Sequence, residues 1–171
     1  MKPAPVLSKI ACIAALATGT LVIDRRVVDI VEVGNVASEA AHGYAGNDVT
    51  MGFANGKPCR QARGWMRYAL HTFDDTEVTV ALTLVATDSV VHSYDVTVED
   101  SVIATRTFTP QPNMPVSVVQ ITVPFAVTKG KTNIAVVVRA HGGTTPALRE
   151  LRTIQDHNEV ETLHRPLGVT R

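Results

Sequence analysis

The strongest constraint on this fold is a succession of short segments, rich in side chains branched at Cβ, that alternate or run apolar and then stop at turn residues. Glu77-Val-Thr-Val-Ala-Leu-Thr-Leu-Val-Ala86 is the clearest, with Val78, Val80, Leu82 and Leu84 on one face and Thr79 and Thr83 on the other. Val (26) and Thr (20) make up more than a quarter of the 171 residues, and their stiff χ1 suits a pleated surface. No stretch of helical period separates the runs, so crossover helices for a parallel sheet are missing. The expected fold is all-β: an antiparallel β-sandwich of jelly-roll, galactose-binding-like type with about eight or nine strands.

Strands are expected at Arg26–Val33, Gly64–His71, Glu77–Ala86, Ser93–Val98, Val102–Phe108, Val116–Val123, Asn133–Arg139 and Leu148–Gln155. Asn133–Arg139 is nearly continuous in apolar residues and reads as buried on both faces. Leu148–Gln155 is charged enough for a helix, but its place after the other strands favours an edge strand. His42 to Lys57, with four glycines and two asparagines, reads as a long loop. Thr109 to Pro115 carries three prolines and cannot be a central strand.

Residues 1–20 read as a signal peptide or N-terminal extension, 21–155 as the module and 156–171 as a polar C-terminal tail. Lys2 and Lys9 precede the apolar Ile10–Ala17, and Ala15-Leu16-Ala17 has the form of a cleavage site. In the alternative reading Thr20-Leu-Val-Ile-Asp24 already opens the first strand. The apolar run is far too short to cross a bilayer. With a leader the protein is secreted or periplasmic; without one it is cytoplasmic.

Sixteen basic and sixteen acidic residues leave no net charge, hence no overall field for nucleic acid or anionic lipid. Cys12 and Cys59 stand far apart, as two thiols or as one disulfide if the chain is secreted and residue 12 is retained. There is no Gly-rich phosphate cradle, no Gly-x-Ser-x-Gly elbow, and no metal-binding pair among the six dispersed histidines. Asp74-Asp75 and Glu99-Asp100 fall where turns are expected, and Asp favours turns for its own reasons. No catalytic residue, metal site or cofactor is expected. Asn47-Asp48 and Asp88 offer oxygens to a structural calcium, without a supporting spacing rule.

One cluster rises above background: Arg60-Gln-Ala-Arg63-Gly-Trp65-Met-Arg67-Tyr68 holds the only tryptophan, one of three tyrosines and three arginines. An aromatic ring with a polar edge can stack on a sugar or fill a core, and guanidinium groups fork onto hydroxyls or carboxylates. Arginines alternating with aromatics also describe an ordinary solvent face.

The stretch Leu21 to Gln155 resembles the β-sandwich module of unassigned function found C-terminal to the catalytic barrel of β-L-arabinofuranosidase-type glycoside hydrolases. The residues that carry this are Leu21-Val-Ile-Asp-Arg-Arg-Val-Val-Asp-Ile-Val31, Ser38-Glu-Ala-Ala-His42, Gly46, Gly52, Arg60-Gln-Ala62 and Gly64-Trp-Met-Arg-Tyr-Ala-Leu70. Asp88, Tyr94-Asp-Val96, Val102-Ile-Ala-Thr105, Val123-Pro124, Gly130-Lys131, Val136-Val-Val-Arg139 and Leu151-Arg152 continue the series. Where the family shows further aromatics, this chain has Met66 and Val85-Ala-Thr87, and the hairpin turn at Val98-Glu-Asp100 lacks the family's glycine.

The resemblance implies an accessory module without the catalytic barrel, its nucleophile or its acid. The expected function is a non-catalytic, carbohydrate-associated module that docks to a glycoside hydrolase or weakly binds glycan. The ligand-binding candidates are Arg60, Arg63, Trp65, Tyr68 and Asp88, with Trp65, Tyr68 and Arg63 expected on a solvent-reachable surface. A purely structural, self-associating homo-oligomer is the alternative. A hydrolase using Asp88 or Asp95 is the remote one.

Overall fold

The computed structural model describes residues 25–156. The expected leader, Cys12 with the disulfide alternative, and the alternative first strand from Thr20 to Asp24 lie outside the described residues, as does the expected tail of 156–171 except Asp156, which ends the last strand. Nine strands form: β1 (Arg25–Glu32), β2 (Ala45–Ala54), β3 (Lys57–His71), β4 (Val78–Val85), β5 (His92–Val98), β6 (Ser101–Phe108), β7 (Val116–Val123), β8 (Asn133–Ala140) and β9 (Ala147–Asp156). Two short helices, α1 (Val36–Ala41) and α2 (Phe125–Thr128), sit in the connections. Every pairing is antiparallel, so the all-β sandwich of jelly-roll type expected from the alternation is the observed fold.

The strand order is β6-β5-β8-β3-β9-β4-β7, with β1 added to β9 and β2 to β3. The sheet turns from one layer to the other at the β3–β9 step, where Arg60 and Leu148 make the only paired position. One layer is therefore β2-β3-β8-β5-β6 and the other β1-β9-β4-β7. Inward residues of the first, among them Met66, Tyr68, Tyr94 and Val136, meet Val31, Val80, Leu82 and Leu151 of the second in one core. That continuous apolar interior is the dominant stabilising term.

Three expectations need correction. The segment His42 to Lys57 is not a loop: Ala45–Ala54 is β2, hairpinned onto β3. Asn55 and Gly56 form the two-residue connection, with φ of 52° and 72°, the left-handed pair that a twisted hairpin requires. β8 is not buried on both faces. Ile134, Val136 and Val138 are in the core, while Ala135 and Val137 are only half-buried on the outer side.

β9 is not an edge strand; it lies between β4 and β1. Its inward Leu148, Leu151 and Thr153 are fully buried. The polar Gln155 is buried too, and satisfied. Its carbonyl accepts from the Phe73 N–H (2.6 Å) and its amide donates to the Phe73 carbonyl (2.9 Å).

Candidate functional site

β3 carries four of the five candidate residues, and strand alternation divides them between its two faces. Arg60 and Tyr68 point to the interior side, under α1. Asn35 caps that helix, its side chain accepting from the Ala37 and Ser38 N–H groups at 3.1 and 3.3 Å. The cap sets the helix so that Glu39 turns inward. Glu39 then receives both arms of Arg60, Nε to Oε1 and Nη2 to Oε2, each 2.7 Å, and the Gly34 N–H at 2.8 Å.

The Arg60 guanidinium lies 4.6 Å from the centroid of the Tyr44 ring, which is 5.2 Å from that of Tyr68. The Tyr68 hydroxyl donates to Glu39 at 3.4 Å. Burial opposes the charge on Glu39, but the Arg60 and Gly34 donors outweigh it and hold the carboxyl below its usual range. Burial, with Glu39 beside it, pushes the Tyr68 phenol well up. A depression of about 340 Å³ lies over this network, lined by Val36, Glu39, Ala40, Gly43, Tyr44 and Arg60. Its charged groups are already spent on each other. Tyr68, expected on a reachable surface, is fully buried and belongs to the core.

Arg63 and Trp65 point to the other, outer face. Pairing register builds a transverse row there across all five strands of the layer: Asn47, Trp65, Arg139, Asp95 and Thr105 are successive partners. Arg63 and Arg67 flank Trp65 along β3, both exposed. Trp65 is half-buried, and among the described residues its ring has no aromatic or cationic partner. Asp95 is well occupied. It accepts from the Thr105 hydroxyl (2.6 Å) and faces His141 Nδ1 (3.3 Å). The Thr105 bond, together with His141 and Arg139, holds its carboxyl below the usual range. The guanidinium groups of Arg63 and Arg67 have no partner among the described residues.

The geometry of Trp65 depends on Gly64. A Cβ there would stand 2.7 Å from the Asn47 carbonyl oxygen, so β2 can approach β3 this closely only past a bare Cα. The register shifts at the same place, between Asn47 and Val49, with Asp48 at φ 51°. Asn47 thus shares the outer face with Trp65, while Val49 turns in against Ala62.

Asp88 occupies a third place, the β4–β5 loop. Its carboxylate accepts from the Val90 N–H and faces His92 Nε2, both at 2.9 Å. Slight burial works against its charge, but Val90 and His92 keep it below the usual carboxylate range. On its other side His92 contacts the Thr144 carbonyl at 3.1 Å, tying this loop to the β8–β9 connection. A second depression of about 340 Å³ opens here, between the Ala86–Ser89 and Pro110–Pro115 segments. The five candidates therefore do not converge. They separate into an interior pair, an outer pair and a lone loop carboxylate.

Residues 22–154 match the family of unknown function DUF6805. The chain belongs to DUF6805. Among curated proteins no sequence matches it.

The DUF6805 sandwich is similar to solved structures. A family 35 carbohydrate binding module from an environmental isolate aligns at TM-score 0.58 and 16% identity, covering 75% of this chain and 96% of that one. A family 35 carbohydrate binding module from Clostridium thermocellum aligns at 0.56 and 7%, covering 76% and 97%. A family GH115 4-O-methyl-α-glucuronidase with specificity for decorated arabinogalactans aligns at 0.55 and 14%, covering 83% of this chain but 19% of that chain. At these identities the likeness is one of fold.

The DUF6805 structure also brings in residues that are not among the ligand-binding candidates read from the sequence. Arg67 belongs to the same run as Trp65 and shares its face by simple alternation, a signal present in the sequence. Arg139, Asp95 and His141 reach that face only through strand register, and Glu39 reaches Arg60 only through the cap of α1.

Proposed function

We propose that this protein is a non-catalytic carbohydrate-binding module whose glycan lies across the outer face of the β2-β3-β8-β5-β6 layer, over Trp65. The observation that carries this reading is the placement of Trp65. The chain's only tryptophan stands mid-row on an open sheet face, among side chains with unspent donors, in a fold like that of the family 35 modules. An indole face takes the apolar side of a pyranose, and Asn47 and Arg139 offer hydrogen bonds along the row.

The hydrolase alternative would need one carboxyl raised enough to donate a proton near neutrality, whereas Val90 and His92 hold Asp88, and Thr105 and His141 hold Asp95, below the usual range; this favours the binding reading. No cofactor is part of this reading. The natural setting is beside a glycoside hydrolase, of the β-L-arabinofuranosidase type that the sequence resembles. The test is affinity electrophoresis through gels carrying plant polysaccharides. The wild-type protein should be retarded by at least one glycan and Trp65→Ala by none; equal retardation of the two would rule out this face.

A second reading, docking or self-association, is favoured by the free edge of β2. Met51 and Phe53 lie on one side of that strand and are 49% and 70% exposed, with a single charge, Asp48, along its ten residues. Sedimentation equilibrium decides it. A dimer that Phe53→Lys converts to monomer supports self-association, and a wild-type monomer at high concentration argues against it.

A further inference from the structure

We infer that the glycan taken by the Trp65 face is anionic, with carboxylate or sulfate groups that pair with Arg63 and Arg67; this deepens the carbohydrate-binding reading and rests on it. Three arginines neighbour Trp65 in the sheet. Arg63 and Arg67 lie two residues to either side of Trp65 on β3, and Arg139 is its direct partner on β8. All three are exposed, and those of Arg63 and Arg67 have no hydrogen-bond or ion-pair partner among the described residues. In contrast, Arg60, three positions before Arg63 and on the other face, is saturated by Glu39.

Of the acids near this face, Asp95 accepts from Thr105 and lies beside His141 and Arg139, so it offsets Arg139 and leaves Arg63 and Arg67 as the unspent charge. Asp48 stands where the register shifts, facing the Arg63–Gly64 step of β3, without an ion pair to Arg63. A planar guanidinium fork matches a carboxylate or sulfate in two parallel hydrogen bonds, a fit that a neutral hydroxyl leaves half used.

Spacing agrees with a polymer. A row across five strands spans about 19 Å at the usual interstrand distance, long enough for several sugar units. Overall charge cannot produce the same preference, since sixteen basic and sixteen acidic residues leave the chain neutral. Attraction for a polyanion must come from this local patch and must be screened by salt.

The test compares retention of the full chain on polygalacturonate, dextran sulfate, neutral galactan and duplex DNA, immobilised at equal density, over a salt series. Expected is binding to one or both anionic glycans about tenfold tighter than to galactan, weakening steeply as salt rises. Which anionic polymer is retained identifies the source of the charge. The double variant Arg63→Gln, Arg67→Gln, checked for an unchanged melting temperature, should bind that polymer roughly tenfold more weakly and with a flatter salt dependence. Galactan bound as well as the acidic polymers overturns the anionic preference while leaving glycan binding intact. Duplex DNA bound as well as they are overturns it also, as does a double variant that keeps the salt slope. No retention on any glycan overturns both readings.

Discussion

Arg60 and Tyr68 were expected at a ligand, and both serve the interior instead. The pair Glu39–Arg60 is a desolvated, bidentate ion pair, so removing one partner strands the other; Arg60→Leu should cost about 3 kcal/mol or more of stability. Its pH dependence has a definite sign. The folded-state pKa of Glu39 lies below the ordinary 4.5, so its contribution is complete above that value and is lost as the pH falls through the lower, folded one. Urea denaturation of wild type and Glu39→Gln should therefore show a gap at about pH 7 that narrows toward about pH 3. A gap independent of pH would mean that the carboxylate charge is not what holds α1 down. Nothing in the sequence near Arg60 announces Glu39, which lies 21 positions earlier and reaches it only because Asn35 caps the intervening helix.

At the scale of elements, the glycines that built β2 also hid it. Four glycines between His42 and Lys57 suggest a loop, yet one of them, Gly56, turns a hairpin whose second strand carries a further glycine, Gly64, with a different job. Gly56 has open space where a Cβ would go but a φ of 72°, so Gly56→Ala should cost roughly 1 kcal/mol through backbone strain alone. Gly64 is the reverse case, with an ordinary φ and no room. Gly64→Ala should cost roughly 1–3 kcal/mol and should also disturb the Trp65 environment, because the Asn47 backbone must move. Thermal melts followed by tryptophan emission separate the two, and equal spectra for both folded variants would contradict this division. Asn55-Gly56 between alternating flanks was the legible sign of the hairpin. β9 was misplaced for a different reason. Arg149, Glu150 and Arg152 make Leu148–Gln155 look peripheral, whereas pairing on both sides depends on the partners that other segments supply.

For the whole molecule, composition and alternation were enough to define an antiparallel sandwich, because Val- and Thr-rich strands with no helical period leave few other ways to bury their apolar faces. The site was legible only along β3. Arg63, Trp65 and Arg67 share a face by alternation, but Arg139 and Asp95 join them through a register that no single sequence reveals. The proposed function rests on that assembled row. Because Trp65 is the only tryptophan, its intrinsic fluorescence reports this face and nothing else. Titrating the protein with oligosaccharides of a polysaccharide that retards it should shift and saturate the emission, at concentrations matching the retardation. Retardation by the glycan with an emission spectrum that never changes would place the bound sugar somewhere other than the outer sheet.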